Sequence, residues 1–362
     1  MIIKEKFTKM MDLKTNFATL GDEKITINKH VARINQRIRE RTKSSTCYLC
    51  GRGCTSFCNS HSVPQISLRV IAEKGKVAQV LQGEFPLMGD DTGVKSAGTF
   101  QIICRECDGV VFQEYENPCA YTEKPTEKML AQIALKNELH MISKRLQEKE
   151  LYDYLEKRYD NIVSLGSGKC IEELDLEEYI ASLRYAKKTL SQNLEGRYHL
   201  CYHRNLDYVV PVATQAMLCL VADFEDVVIN NIYNLSDNYN IALLHVAVFP
   251  LENNSVVLAF VESKTKRYRK FIKQLKKLEA EDQLAAINYM IFSYSENVFL
   301  HPSTYTKLKE NTSFMEVCRR TTVAQTPSVF GDSLKVAVNE FSFSKRNSIP
   351  NLLGKEFAIK VQ

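Results

Sequence analysis

Two Cys-x-x-Cys pairs, Cys47-Tyr-Leu-Cys50-Gly51 and Cys104-Arg-Glu-Cys107-Asp108, constrain this chain more than any other feature. Two thiolates separated by two residues reach one metal only where the backbone turns tightly, and a glycine after the second cysteine permits that turn. Four such ligands match a closed tetrahedral structural site, so Cys47, Cys50, Cys104 and Cys107 are the expected zinc ligands. The long stretch between the pairs must then bring the second back onto the first. The cost of closing such a loop grows only logarithmically with its length, so a folded insertion can bridge it. Cys54, Cys58 and His61 lie close behind the first pair, and a Cys47/Cys50/Cys58/His61 tetrad is chemically possible as well. The two-pair set is preferred because a knuckle plus a helix start is the commoner geometry, which leaves the roles of Cys54 and Cys58 open.

The zinc reading presupposes reduced thiols, and the rest of the chain agrees with it. No apolar run is long enough to cross a bilayer, and the charged start Met1-Ile-Ile-Lys4-Glu5-Lys6 lacks the apolar stretch of a secretory signal. A cytoplasmic location without a membrane partner is therefore expected, where disulfides are disfavoured. The other cysteines, Cys119, Cys170, Cys201, Cys219 and Cys318, are scattered singly and read as packing residues. With 362 residues, 44% of them hydrophobic and 25% charged, the chain is long and apolar enough for two cores.

Hydrophobic spacing predicts an α+β protein. Residues 1–45 read as a basic helical arm, with Val31, Ile34 and Ile38 on one face and Arg33, Arg37, Arg39 and Arg41 on the others. Residues 46–122 form the zinc module. Within it, Glu73–Gly98 reads as a loop or hairpin insertion, and a helix starts at Cys107 with Asp108 near its N-cap. Residues 123–195 form a helical connection: one long helix from Glu127, a break at Gly166-Ser-Gly168, and a second helix over Ile171–Leu194. Residues 196–362 read as a sheet-and-helix domain. Its clearest strands are Ile241–Phe249 and Ser255–Val261, its last forty or so residues are irregular or edge strands, and no βαβ alternation calls for a doubly wound sheet.

Between the cysteine pairs stands Ser60-His61-Ser-Val-Pro64, and beyond the second pair stands Tyr115-Glu116-Asn117. Knuckle, Ser-His-x-x-Pro and a second pair followed by an acidic residue together resemble the HNH-endonuclease-like treble-clef family, across roughly residues 46–120. The resemblance implies a ββα module whose cysteine zinc only holds the fold. It also implies metal-dependent phosphodiester hydrolysis, with a His as general base on water and a divalent ion, Mg2+ or Mn2+, stabilising the leaving oxygen. On that resemblance His61 would be the base, and Glu116 or Asn117 a helix-borne ligand of the second metal. Ser60 stands where the family usually has Asp or Glu, residues 62–103 contain no asparagine, and the family's final helix His is missing.

Charge points the same way. Residues 1–46 hold eleven Lys/Arg against five Asp/Glu, more than the whole chain's surplus of +5. A second basic stretch, Lys264–Leu278, reads as an amphipathic helix whose Lys266, Arg267, Lys270, Lys273 and Lys277 could contact phosphates. The expectation is a zinc-binding, HNH-like protein that engages DNA or RNA, in the anti-phage defence setting that the family resemblance suggests. The rival is a zinc-stabilised adaptor or scaffold whose residues 196–362 bind a protein partner or a second copy of the chain.

Overall fold

A computed structural model describes residues 33–80, 91–158, 165–234, 236, 238–324 and 332–360. Among these residues one seven-stranded sheet dominates, with strand order β3-β2-β9-β6-β7-β8-β5 and every neighbouring pair antiparallel. Its strands are β2 (Lys76–Gln79), β3 (Asp91–Gly93), β5 (Tyr198–Leu206), β6 (Val212–Leu218), β7 (Leu244–Pro250), β8 (Ser255–Glu262) and β9 (Val298–Leu300). A separate two-stranded sheet pairs β1 (Ser60–His61) with β4 (Thr99–Phe100).

The central strands are apolar without alternation because both their faces are covered. Side chains alternate across a strand, and in β7 and β8 they divide between two cores. Val246, Val248, Val257 and Ala259 enter a core with Leu284, Ile287, Phe292 and Phe314. Ala247, Phe249, Leu258 and Phe260 enter another with Phe112, Tyr115, Met129 and Ile133. Helices α6 (Ala280–Tyr294) and α8 (Thr312–Ala324), with the short α7 (Pro302–Leu308) between them in the chain, supply the first layer. The long antiparallel pair α3 (Glu127–Arg158) and α4 (Leu165–Ser191) supplies the second, pinned to one another by Arg145–Asp175 and Lys149–Glu173 ion pairs at 2.8 and 2.6 Å. Ser60–His61, the paired Thr99–Phe100 and α2 (Arg105–Val111) pack against the same layer as α3.

Some elements sharpen the sequence reading and others differ from it. The insertion is a hairpin, but its strand β2 also pairs with β9, so residues of the zinc module and of the C-terminal part share one sheet. Short helix α1 (Gln65–Val70) follows Pro64 and buries Leu68 with Val77, Val94 and Phe299. Helix α2 begins at Arg105, not at Cys107; Cys104 takes the N-cap position and Asp108 lies inside the helix. Gly166 and Gly168 fall in the opening turn of α4 and do not precede it, since the cost of glycine in a helix is modest. The basic helix shrinks to α5 (Arg269–Leu275), since residues before it bend to anchor loops. The C-terminal segment forms helix α9 (Ser333–Glu340) and 3-10 turns and contributes no strand among the described residues. Ile34 and Ile38 of the arm are buried as expected, while Val31 lies outside the described residues. Cys201 and Cys318 are buried, whereas Cys119 is exposed.

Candidate metal centre

The first cysteine pair sits on a tight knuckle. Gly51 adopts φ +72°, and its N–H donates to the Cys47 carbonyl at 2.8 Å. The Cys47 N–H donates to the Arg52 carbonyl at 2.9 Å, which turns Cys47 and Cys50 to the same side. The second pair is brought by the start of α2, where the Cys104 N–H donates to Cys47 Sγ at 3.3 Å. All four ligand sulfurs of Cys47, Cys50, Cys104 and Cys107 lie within 4.8 Å of one another, and Cys50 and Cys104 are 3.9 Å apart. Zinc–sulfur bonds of about 2.3 Å in a tetrahedron set sulfurs about 3.8 Å apart, so the group fits a zinc ion.

The electrostatics are those of a site that wants a cation. Arg52 donates to Cys50 Sγ at 3.4 Å and lowers that thiol's pKa to about 6. Burial and the neighbouring sulfurs push the Cys107 thiol well up. Four sulfurs this close cannot all ionise unless a metal compensates them. Cys54 and Cys58 stand outside the tetrad: Cys54 Sγ faces the Arg52 carbonyl at 3.5 Å, and Cys58 Sγ donates to Asp108 Oδ2 at 3.3 Å. The alternative tetrad with Cys58 and His61 is therefore not the one the fold assembles.

Behind the tetrad lies a polar cluster whose centre the sequence reading misses. Lys136, on α3 and only 1% exposed, places Nζ 2.9 Å from Ser60 Oγ, 2.9 Å from Asp108 Oδ1 and 3.1 Å from Glu116 Oε1. The Phe112 ring closes the remaining side, its centroid 3.7 Å away. Ser60 in turn donates to Asp108 Oδ1 at 2.6 Å. Burial works to raise the Asp108 pKa, but the Lys136 ammonium and the Ser60 and Cys58 donors outweigh it and hold the carboxyl below its ordinary value. The signal in the sequence is position: Lys136 follows Met129 and Ile133 at helical spacing, on the stripe that faces the core. A lysine there has to find acids inside.

His61 lies on β1 beside this cluster, half-buried. Its Nε2 is 2.9 Å from the Val94 carbonyl, which can only accept, and this assigns the ring proton to Nε2; the Gln65 amide nitrogen, 3.5 Å away, is itself a donor and does not bond to it. Burial lowers its pKa against the pull of that carbonyl, so the ring is neutral near pH 7. Glu116 and Asn117 are not on a helix: α2 ends at Val111. Glu116 is paired with Lys136, and Asn117 Oδ1 accepts from the Cys119 N–H at 3.1 Å, capping a 3-10 turn over Pro118–Thr122.

The basic residues near α5 divide into two groups. Lys270 pairs with Asp223 and Glu225 at 3.4 and 2.7 Å. Arg267 donates to the Asn240 carbonyl at 2.7 Å and lies over the Tyr239 ring, so it braces a loop. Lys266, Lys273 and Lys277 are exposed and make no ion pair with described residues.

No family model, curated protein or solved structure matches the chain. Among the described residues, no helix is long and apolar enough to cross a membrane.

Proposed function

We propose that residues 46–122 form an HNH-like treble clef held by a structural zinc, and that the protein engages nucleic acid through the basic residues around α5. The first half is supported by the order of parts: knuckle, a β1–β4 pair, then a helix carrying the second cysteine pair. The second half is carried by one observation, the exposure of Lys266, Lys273 and Lys277, none of which forms an ion pair among the described residues. Arg33, Arg37 and Arg39 of the arm add further exposed cations. The chemistry proposed is binding. Glu116 and Asn117 are engaged with Lys136 and with a backbone N–H, so neither stands free to hold a second metal beside His61.

Fluorescence anisotropy with labelled duplex DNA, single-stranded DNA and RNA over a salt series tests this. Each phosphate that a lysine no longer neutralises flattens the log–log salt slope by about 0.9 on duplex DNA, so a triple Lys→Glu variant at 266, 273 and 277 should flatten it by roughly 2–3. An unchanged slope removes these lysines from the reading. Absence of binding to every probe favours the adaptor, with residues 196–362 binding a protein partner or a second copy. The anti-phage setting is tested by plating efficiency on hosts carrying the intact chain or its Cys104→Ser variant, with equal plating counting against it.

A further inference from the structure

We propose that the ammonium of Lys136 is the resident cation of this module, filling the position between Ser60, Asp108 and Glu116 so that no divalent metal binds there. An ammonium has three N–H donors and no acceptor. Here it meets three oxygens from three different segments, at 2.9, 2.9 and 3.1 Å, with an aromatic face on the fourth side. Every donor is used, and the group is sealed from solvent at 1% exposure. Asp108 is further committed, since it also accepts from Ser60 and Cys58.

The divalent metal implied by the HNH resemblance would require Glu116 or Asn117 together with a residue beside His61. Those residues do not fit it. The residue beside His61 is Ser60, whose hydroxyl is bonded to Lys136 and Asp108. Asn117 is turned to cap the following 3-10 helix, and Glu116 has Lys136 for its counter-ion. A divalent ion entering this cluster would face a fixed positive charge at its centre, and both nearby carboxylates, Asp108 and Glu116, are already bonded to that ammonium. Lys136 thus does by charge what the metal would do: it ties β1, α2 and the turn at Glu116 to the long helix α3. It makes the fold of this corner indifferent to divalent ions. That role follows from the geometry of the cluster and holds whether or not the protein binds nucleic acid.

The test is Mn2+ binding, counted by the loss of free-ion signal in electron paramagnetic resonance, on the zinc-loaded full chain. The unaltered protein should bind no Mn2+ that Glu116→Gln removes. Lys136→Ala leaves the oxygens without a cation and should bind one Mn2+ at least tenfold more tightly, with a rise in melting temperature on adding Mn2+ that the unaltered protein lacks. Glu116→Gln placed in that background should abolish the gain. A Mn2+ ion bound by the unaltered chain and lost in Glu116→Gln would overturn the inference, as would a folded Lys136→Ala chain with no gained site. Should Lys136→Ala not fold, Lys136→Gln keeps a donor for Ser60 and takes its place, and the comparison of the unaltered chain with Glu116→Gln decides by itself.

Discussion

Acid should weaken this fold through His245, and the size of the effect can be worked out. His245 sits near the start of β7 at 2% exposure, stacked on Phe260 with ring centroids 4.7 Å apart. Its Nδ1 is 3.1 Å from the Asn137 amide nitrogen, a donor that an added proton at Nδ1 would confront. Burial pushes its pKa down to about 3. In the unfolded chain the same imidazole titrates near 6.5. The folded state therefore binds fewer protons than the unfolded one, and stability present above about pH 6.5 is lost as pH falls towards 3. By linkage this single group removes about 2 kcal/mol between pH 7 and pH 5, and about 3 kcal/mol by pH 4. Urea unfolding at several pH values, on the unaltered chain and on His245→Asn, isolates the term. The asparagine variant loses some packing at every pH but should show about 2 kcal/mol less dependence between pH 7 and 5. Protonation of the zinc ligands affects both chains alike and cancels in the comparison. Parallel pH profiles for the two proteins would refute the reasoning.

Other perturbations address other parts of the molecule. Stripping the metal with a strong chelator, or replacing Cys104 by Ser, should release one zinc per chain and cost on the order of 5 kcal/mol; metal analysis showing unchanged zinc in Cys104→Ser would contradict the tetrad. Gly98 has φ +60°, and a Cβ there would stand 2.4 Å from Ser62 Oγ and 2.9 Å from Phe299 Cζ. Gly98→Ala should therefore lower stability by about 2–3 kcal/mol, read as a reduced urea midpoint, and a neutral outcome would mean the turn relaxes. Glu138 is 1% exposed with one carboxyl oxygen unpartnered, and burial, helped by Glu262, raises its pKa well above the usual range. Its contribution is full below the unfolded value and is lost as pH rises towards the folded one, so the advantage of Glu138→Gln over the unaltered chain should grow as pH rises above about 4.3. A gain that does not grow with pH would contradict that assignment.

The legible parts of the chain are those where local chemistry and packing agree. Cys47, Cys50, Cys104 and Cys107 are readable because two paired thiols have few uses besides a metal, and the fold gathers them. The hairpin of β7 and β8 and the helix from Glu127 are readable because their apolar spacing matches their burial. What escapes local reading is set from far away in sequence. Nothing near Lys136 announces that Ser60 and Glu116 will meet it. Nothing in Val298–Leu300 marks it as the strand that joins Lys76–Gln79 to the rest of the sheet. The basic run around α5 looks uniform in sequence, yet Lys270 and Arg267 spend their charge on Asp223 and on a loop carbonyl while Lys266, Lys273 and Lys277 do not. Chain-local patterns cannot separate those roles.

The join between β2 and β9 also sets a timetable for synthesis. Ala78 pairs with Leu300, roughly 220 positions later. Once Cys107 has left the ribosome both cysteine pairs are present, yet at about 5–20 residues per second the ribosome needs roughly 10–40 s more to deliver β9. During that interval β2 presents an open edge and Val77 lacks the cover of Phe299. The nascent protein must therefore hold a half-finished sheet for tens of seconds, and a chain that stops short of Val298 is left with that edge for good.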